Sequence, residues 1–156
     1  MFSSKNIGMV VMLLGVVCLV VGGIFIWQSF SVKSNVVNTM RLMNESYSGT
    51  PEYITADGVI HEYTRPIDGV IDTQWEAKEV TDTLMAHRLS EYPPFTQMDR
   101  DDPDRATVIQ GISMETALTA AQMGFGISTM ALGIGAFMLV TGVAFGGTGL
   151  VLVCRD

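Results

Sequence analysis

The sequence is short of the residues that do chemistry. Among 156 residues there are two cysteines, Cys18 and Cys154, two histidines, His61 and His87, and only 16% Asp, Glu, Lys and Arg. Neither histidine sits in an HExxH or comparable ligand spacing and the cysteines form no CxxC, so no metal site is expected. A nucleophile elbow, a P-loop and a dinucleotide fingerprint are missing as well. Both cysteines lie in or beside apolar stretches, and Cys18, about 16 Å along its helix, is out of disulfide reach of Cys154. The polar middle of the chain therefore has no staple. Bases are outnumbered by acids, nine to sixteen, for a formal net charge of −7. That balance excludes a nucleic-acid binder and a surface that seeks anionic lipid headgroups.

Charge is lacking altogether from two long stretches, between Lys5 and Lys33 and between Glu115 and Arg155. With 48% hydrophobic residues and a mean hydropathy of +0.35, the chain is no disordered segment but a membrane protein. Ile7 to Trp27 gives 21 uncharged residues. As a helix they span roughly 31 Å, one hydrocarbon core. The run is too long for a signal-peptide core, and Cys18 follows Val17 rather than a small residue, so an uncleaved anchor is expected rather than a leader or a lipoprotein. Thr116 to Cys154 gives 39 uncharged residues, roughly 58 Å of helix and nearly twice what a bilayer needs. The second span is placed at 126–153, with Thr116 to Phe125 in an outer helix. No acid, base or histidine falls inside either span, which excludes the relays and ion paths of pumps and transporters.

Lys5 with the free amine, and Arg155 beyond the second span, put both termini in the cytoplasm, and a loop of about 90 residues translocates regardless of its charge. The resulting order is a cytoplasmic N-terminus at 1–6, a transmembrane helix at 7–27, an acidic extracytoplasmic domain at 28–125, a transmembrane helix at 126–153 and a cytoplasmic C-terminus at 154–156. Trp27 and Phe30 would mark the outer interface.

Small residues recur at seven-residue spacing in both spans: Gly8, Gly15 and Gly22 in the first, Ser128, Gly135, Gly142 and Gly149 in the second. Seven residues make two turns, so each helix has one face where backbones can approach closely. A tight antiparallel hairpin is expected. Gly142 and Gly146 also form a GxxxG pair, a face usable for a second contact such as self-association.

Residues 28–122 hold seven bases and fifteen of the sixteen acids. Val32, Val36, Met40 and Met43 suggest that the first helix continues outward with an apolar stripe. Asp102 as N-cap, Pro103 in the first helical position and Asp104 in the first turn open the second extension, with Val108, Ile109 and Ile112 as its stripe. The two extensions are expected to pack together. Between them, Tyr53–Thr55 and Val59–Thr64 around Asp57-Gly58 give a short hairpin, and Asp68-Gly69 a further turn. Thr73 and Glu76 have capping-box spacing and start a helix running to about Leu89, before the extended Pro93-Pro94, with Trp75, Val80 and Leu84 buried.

The polar candidates for chemistry are weak. His61 and His87 read as surface or packing residues. Met40 and Met43 could offer thioethers to copper but at helical spacing are interface filler. Asp99, Asp101, Asp102 and Asp104 lack the glycine and the closing glutamate of an EF-hand, since residue 110 is Gln. Asn44-Glu45-Ser46 is a glycosylation triplet only in a eukaryote. No catalytic residue, cofactor or metal is expected, and the chain is not expected to be an enzyme.

From Ile54 onward the order ITADG, IDGVIDTQWEAKEVTDTLMAH and FTQMDRDDPDRATV, followed by a Gly-rich apolar helix to Gly149, covers roughly 60% of the chain. It resembles a family of small actinobacterial two-span membrane proteins catalogued as "aromatic ring-opening dioxygenase". Phe95, Asp99, Arg100, Asp102, Pro103 and Arg105 occupy the family's motif before the second span. A ring-opening dioxygenase needs iron held by two histidines and a carboxylate, and here the histidines fall on different elements. The resemblance implies a bacterial cytoplasmic membrane and an extracytoplasmic loop. By analogy with small accessory subunits of actinobacterial respiratory supercomplexes of the cytochrome bc and aa3 type, the preferred partner is such an assembly. The expectation is therefore a mainly α membrane protein. It has an antiparallel two-helix transmembrane hairpin, long helical extensions and a small α+β extracytoplasmic domain with a short hairpin, and acts as a non-catalytic accessory subunit on a larger integral membrane complex. The alternative is a homo-oligomeric cell-envelope scaffold or receptor.

Overall fold

The structure, a computed structural model, describes residues 4–42 and 46–154. Met43 of the expected stripe, Asn44 and Glu45 of the glycosylation triplet, and Arg155 of the charge asymmetry lie outside them. The described residues are mostly helical. In chain order they form α1 (Ser4–Leu42), β1 (Ser46–Gly49), β2 (Glu52–Ile54), β3 (Ile60–Glu62), β4 (Ile67–Val70), α2 (Gln74–Glu91), a 3₁₀ turn (Phe95–Gln97) and α3 (Arg105–Cys154). They divide into two compact units, Met1–Lys33 with Ile127–Asp156, and Ser34–Gly126.

The first unit consists of the apolar lengths of α1 and α3. Neither contains proline or a charge run to end the helix, and both are long and apolar enough to cross a membrane. In each, only 11% of the most apolar window is buried within the protein. A core helix of a water-soluble domain would bury most of such a window. Here Val10, Leu13, Phe137, Val140 and Val143 all face outward.

The second unit contains the strands and α2. Strand β2 pairs antiparallel with β3, Tyr53 opposite His61, and β1 pairs antiparallel with β4, Tyr47 opposite Gly69. The two ladders are successive stretches of one ribbon, interrupted where Pro51 and Pro66 withhold ladder donors and bridged by Tyr63 N–H donating to the Pro51 carbonyl at 2.8 Å. The ribbon reverses at Asp57-Gly58, where Gly58 has φ +81 and its N–H meets the Thr55 carbonyl at 2.9 Å. Asp68-Gly69, expected as a turn, instead lies within β4. A reversal there would uncouple Ile67 and Val70 from β1, and Gly69 takes φ +111 inside the ladder. Because a methyl at Gly69 would touch nothing within 4 Å, backbone conformation alone favours glycine there.

Helix α2 starts with the expected capping box. The Thr73 hydroxyl accepts from Glu76 N–H at 3.3 Å, and the Glu76 carboxylate accepts from Thr73 N–H at 3.1 Å. Its buried face is Ala77, Val80, Thr81, Thr83 and Ala86. Trp75, expected inside, is 37% exposed, with the Arg65 guanidinium 5.7 Å from its ring centre. Thr83 holds α2 to the ribbon, accepting from Glu52 N–H at 2.7 Å. The core joins Met40 of α1, Ile67 and Ile71, Ala77 and Val80 of α2, and Leu118, Ala121 and Phe125 of α3. The expected packing of the two helical extensions is thus present, with α2 added to it. Ile109, expected on the apolar stripe, is 48% exposed, because Val108 and Leu118 set the inward face.

Candidate functional site

The small residues of the two apolar helices meet in a closed seam. A Cβ added to Gly8 would lie 3.0 Å from the Gly149 carbonyl oxygen, one on Gly15 2.8 Å from that of Gly142, and one on Gly22 2.9 Å from that of Gly135. The reverse contacts match: a Cβ on Gly135, Gly142 or Gly149 would meet backbone oxygens of Gly22, Gly15 and Gly8 at 2.9, 2.9 and 2.8 Å. Each step of seven along α1 is answered by a step of seven back along α3, so the helices are antiparallel and their backbones touch. No side chain larger than hydrogen fits at these six positions without a backbone shift.

Ser128 faces Ser29, a residue the sequence reading left out of the seam although it continues the seven-residue step from Gly22. Ser29 donates to the Ser128 carbonyl at 2.7 Å and Ser128 donates to the Ser29 carbonyl at 2.8 Å, with both residues buried. This reciprocal pair fixes register, which stacked glycines alone would leave free to slide. Its signal in the sequence is the seven-residue step from Gly22, which carries past Trp27 at the end of the expected span. Of the GxxxG pair only Gly142 turns into the seam, whereas a Cβ on Gly146 would meet nothing within 4 Å. Gly142 is consumed by the seam, and the Gly146 nitrogen lies 2.6 Å from where a Gly15 Cβ would stand.

The motif before α3 forms a clasp. The Arg105 guanidinium lies 4.0 Å from the centre of the Phe95 ring, and its Nη1 donates to the carbonyl of buried Met98 at 3.2 Å. Asp102 caps the helix start, its carboxylate accepting from Asp104 N–H at 2.9 Å and its carbonyl from Arg105 N–H at 3.2 Å. Asp99 contributes its carbonyl to Asp102 N–H at 3.2 Å. Arg100 and Pro103 are exposed. Cation–π contact, cap and turn together hold the 3₁₀ segment against the first turn of α3, which accounts for Phe95, Asp102 and Arg105 without chemistry.

Polar bridges that the sequence reading missed join α2 to α3. Arg88 donates twice to Glu115, Nε to Oε1 at 2.8 Å and Nη2 to Oε2 at 3.0 Å, and both side chains are largely buried. The bond to Glu115 raises the already high Arg88 pKa, so the guanidinium stays charged. Seven residues away on each helix, Gln122 donates to the Thr81 hydroxyl at 3.1 Å. Glu115 had served only to mark the edge of an uncharged block.

On the other side of α2, Tyr63 donates to Asp82 at 2.5 Å, while Lys78 lies 3.1 Å from the Tyr63 oxygen and 2.5 Å from the same Asp82 oxygen. Burial, then the bond to Asp82, push the Tyr63 pKa up, and the Lys78 pKa is raised by Asp82 and then Tyr63. The neighbouring Glu79 has its carboxyl raised by burial, and its Oε2 has no hydrogen-bond partner.

The histidines do not converge. His61 stacks on Tyr53, centroids 5.4 Å apart, and His87 Nε2 lies 3.0 Å from Glu52 Oε2. Among the described residues, no group of three or more His, Cys, Asp or Glu is placed to hold a metal, and Cys18 and Cys154 are unpaired. No family model, curated protein or solved structure matches this chain.

Proposed function

We propose that this chain is a two-span membrane protein whose glycine-seamed hairpin anchors a polar domain and packs on a larger integral membrane complex as a non-catalytic accessory subunit. The observation that carries the reading is the seam. It takes up the glycines at seven-residue spacing in both helices and leaves an outer surface dominated by aliphatic and aromatic side chains without one charge between Ile7 and Trp27 or between Ile127 and Cys154. Lipid or apolar helices of a partner are the surroundings such a surface tolerates, since water would oppose its exposure. Lys5 favours a cytoplasmic N-terminus and an extracytoplasmic Ser34–Gly126 unit. Trp27 and Phe30, 71% and 63% exposed, suit the outer interface.

The resemblance to small actinobacterial two-span proteins supports a bacterial cytoplasmic membrane and favours a respiratory supercomplex of the cytochrome bc and aa3 type as the partner. A hairpin whose small residues face inward has no pore or relay of its own, which fits a packing role. Native mass spectrometry after extraction in mild detergent tests this: the chain should leave the membrane with larger integral subunits. A stable, isolated monomer rejects the proposal. The alternative, a homo-oligomeric envelope scaffold, would use the outward-open Gly146 rather than Gly142, which the seam takes up. Gly133 and Gly147 are likewise open to the outside, so Ile at these three positions should change oligomer size on a native gel if self-association is the function.

A further inference from the structure

We draw no further inference here: the strongest candidate, the mainly apolar groove of about 360 Å³ between α2 and α3 whose lining includes Met85, Ile112, Thr116, Ala120 and Met123, is an unpartnered face, and nothing in the structure shows what covers it.

Discussion

The apolar unit and the polar unit each contain lengths of the same two long helices, yet within each unit those helices are held together by different means. Between residues 8 and 29 of α1 and 128 and 149 of α3 the contacts are backbone to backbone, with glycine at six of eight positions. In the unit Ser34–Gly126 side chains fill the space. Met40 and Phe125 are buried in the core, and Val36 reaches to 2.7 Å from where a Gly124 Cβ would be. Arg88 reaches across from α2 to Glu115. The seven-residue step runs through both lengths of α3, so its periodicity is constant while the residue class on the inward face changes. In water, sequestering large apolar groups drives helices together and selects which face turns inward. Where the exterior is itself apolar, that selection disappears, and close van der Waals approach with a few hydroxyl bonds must do the work.

This contrast is open to direct attack, and the seam should give first. Leucine at position 15 has to displace the Gly142 carbonyl and the Gly146 nitrogen, both backbone atoms within 2.8 Å of its Cβ, so no flexible side chain can yield. Gly15→Leu should separate the helices rather than strain them. With Ser29→Cys and Ser128→Cys as reporters, oxidation in nanodiscs should cross-link the parent chain efficiently and the Gly15→Leu chain poorly. Equal cross-linking would mean that the seam does not hold the hairpin shut.

The polar unit should fail differently. Arg88→Ala leaves Glu115 largely buried without its cation, and breaking such a pair costs about 3 kcal/mol. Denaturant unfolding, followed through the exposed Trp75, should register that loss. Replacing both partners at once, Arg88→Met with Glu115→Leu, should recover most of it, because the pair's attraction is offset by its desolvation. If the double variant is as unstable as Arg88→Ala, the bridge contributes more than neutralisation. A smaller effect belongs to the register lock: Ser29→Ala removes one of the two reciprocal bonds and should cost about 0.6–1.7 kcal/mol of hairpin stability. It should be silent in the Trp75 transition.

What could be read in the sequence follows the same division. Glycine at a fixed step carries little ambiguity, since few other features favour it in an apolar helix, and the antiparallel approach of the two helices was legible from it. The capping box at Thr73 and Glu76 and the Asp57-Gly58 reversal were legible too, because each has a local cause. Long-range pairing was not. Strand β1 has the composition of a loop, Ser-Tyr-Ser-Gly, and becomes a strand only because Ile67–Val70 lies beside it. Asp68-Gly69 misled for the complementary reason: its local preference for a turn is overridden by that ladder. Trp75 was expected on the buried face with Val80 and Leu84, whereas Ala77 and Thr83 are the residues that α2 buries beside Val80. The Arg88–Glu115 bridge left no trace, because a single acid and base on two predicted helices 27 residues apart could have been solvated separately.

The subtlest expected effect lies at Glu79. Burial raises its carboxyl above the ordinary glutamate value, and no hydrogen bond satisfies Oε2. The folded chain therefore holds this proton more tightly than the unfolded chain does. By linkage, the contribution of this group to stability is greatest below the ordinary carboxylate range and is lost as pH rises from the unfolded value through the raised folded one, the reverse of an ion-paired acid. Lys78 and Arg65 oppose the shift, while Asp82 and Glu76 add to it, so the slope reports the balance of burial against these four charges. Urea titrations across mildly acidic pH should show this decline as the difference between the parent chain and Glu79→Gln. Glu79→Gln should therefore gain on the parent as pH rises and be the more stable of the two near neutral pH. If that difference does not change with pH, another group carries the slope. If the variant is less stable at every pH, the carboxylate has a partner that its geometry does not reveal.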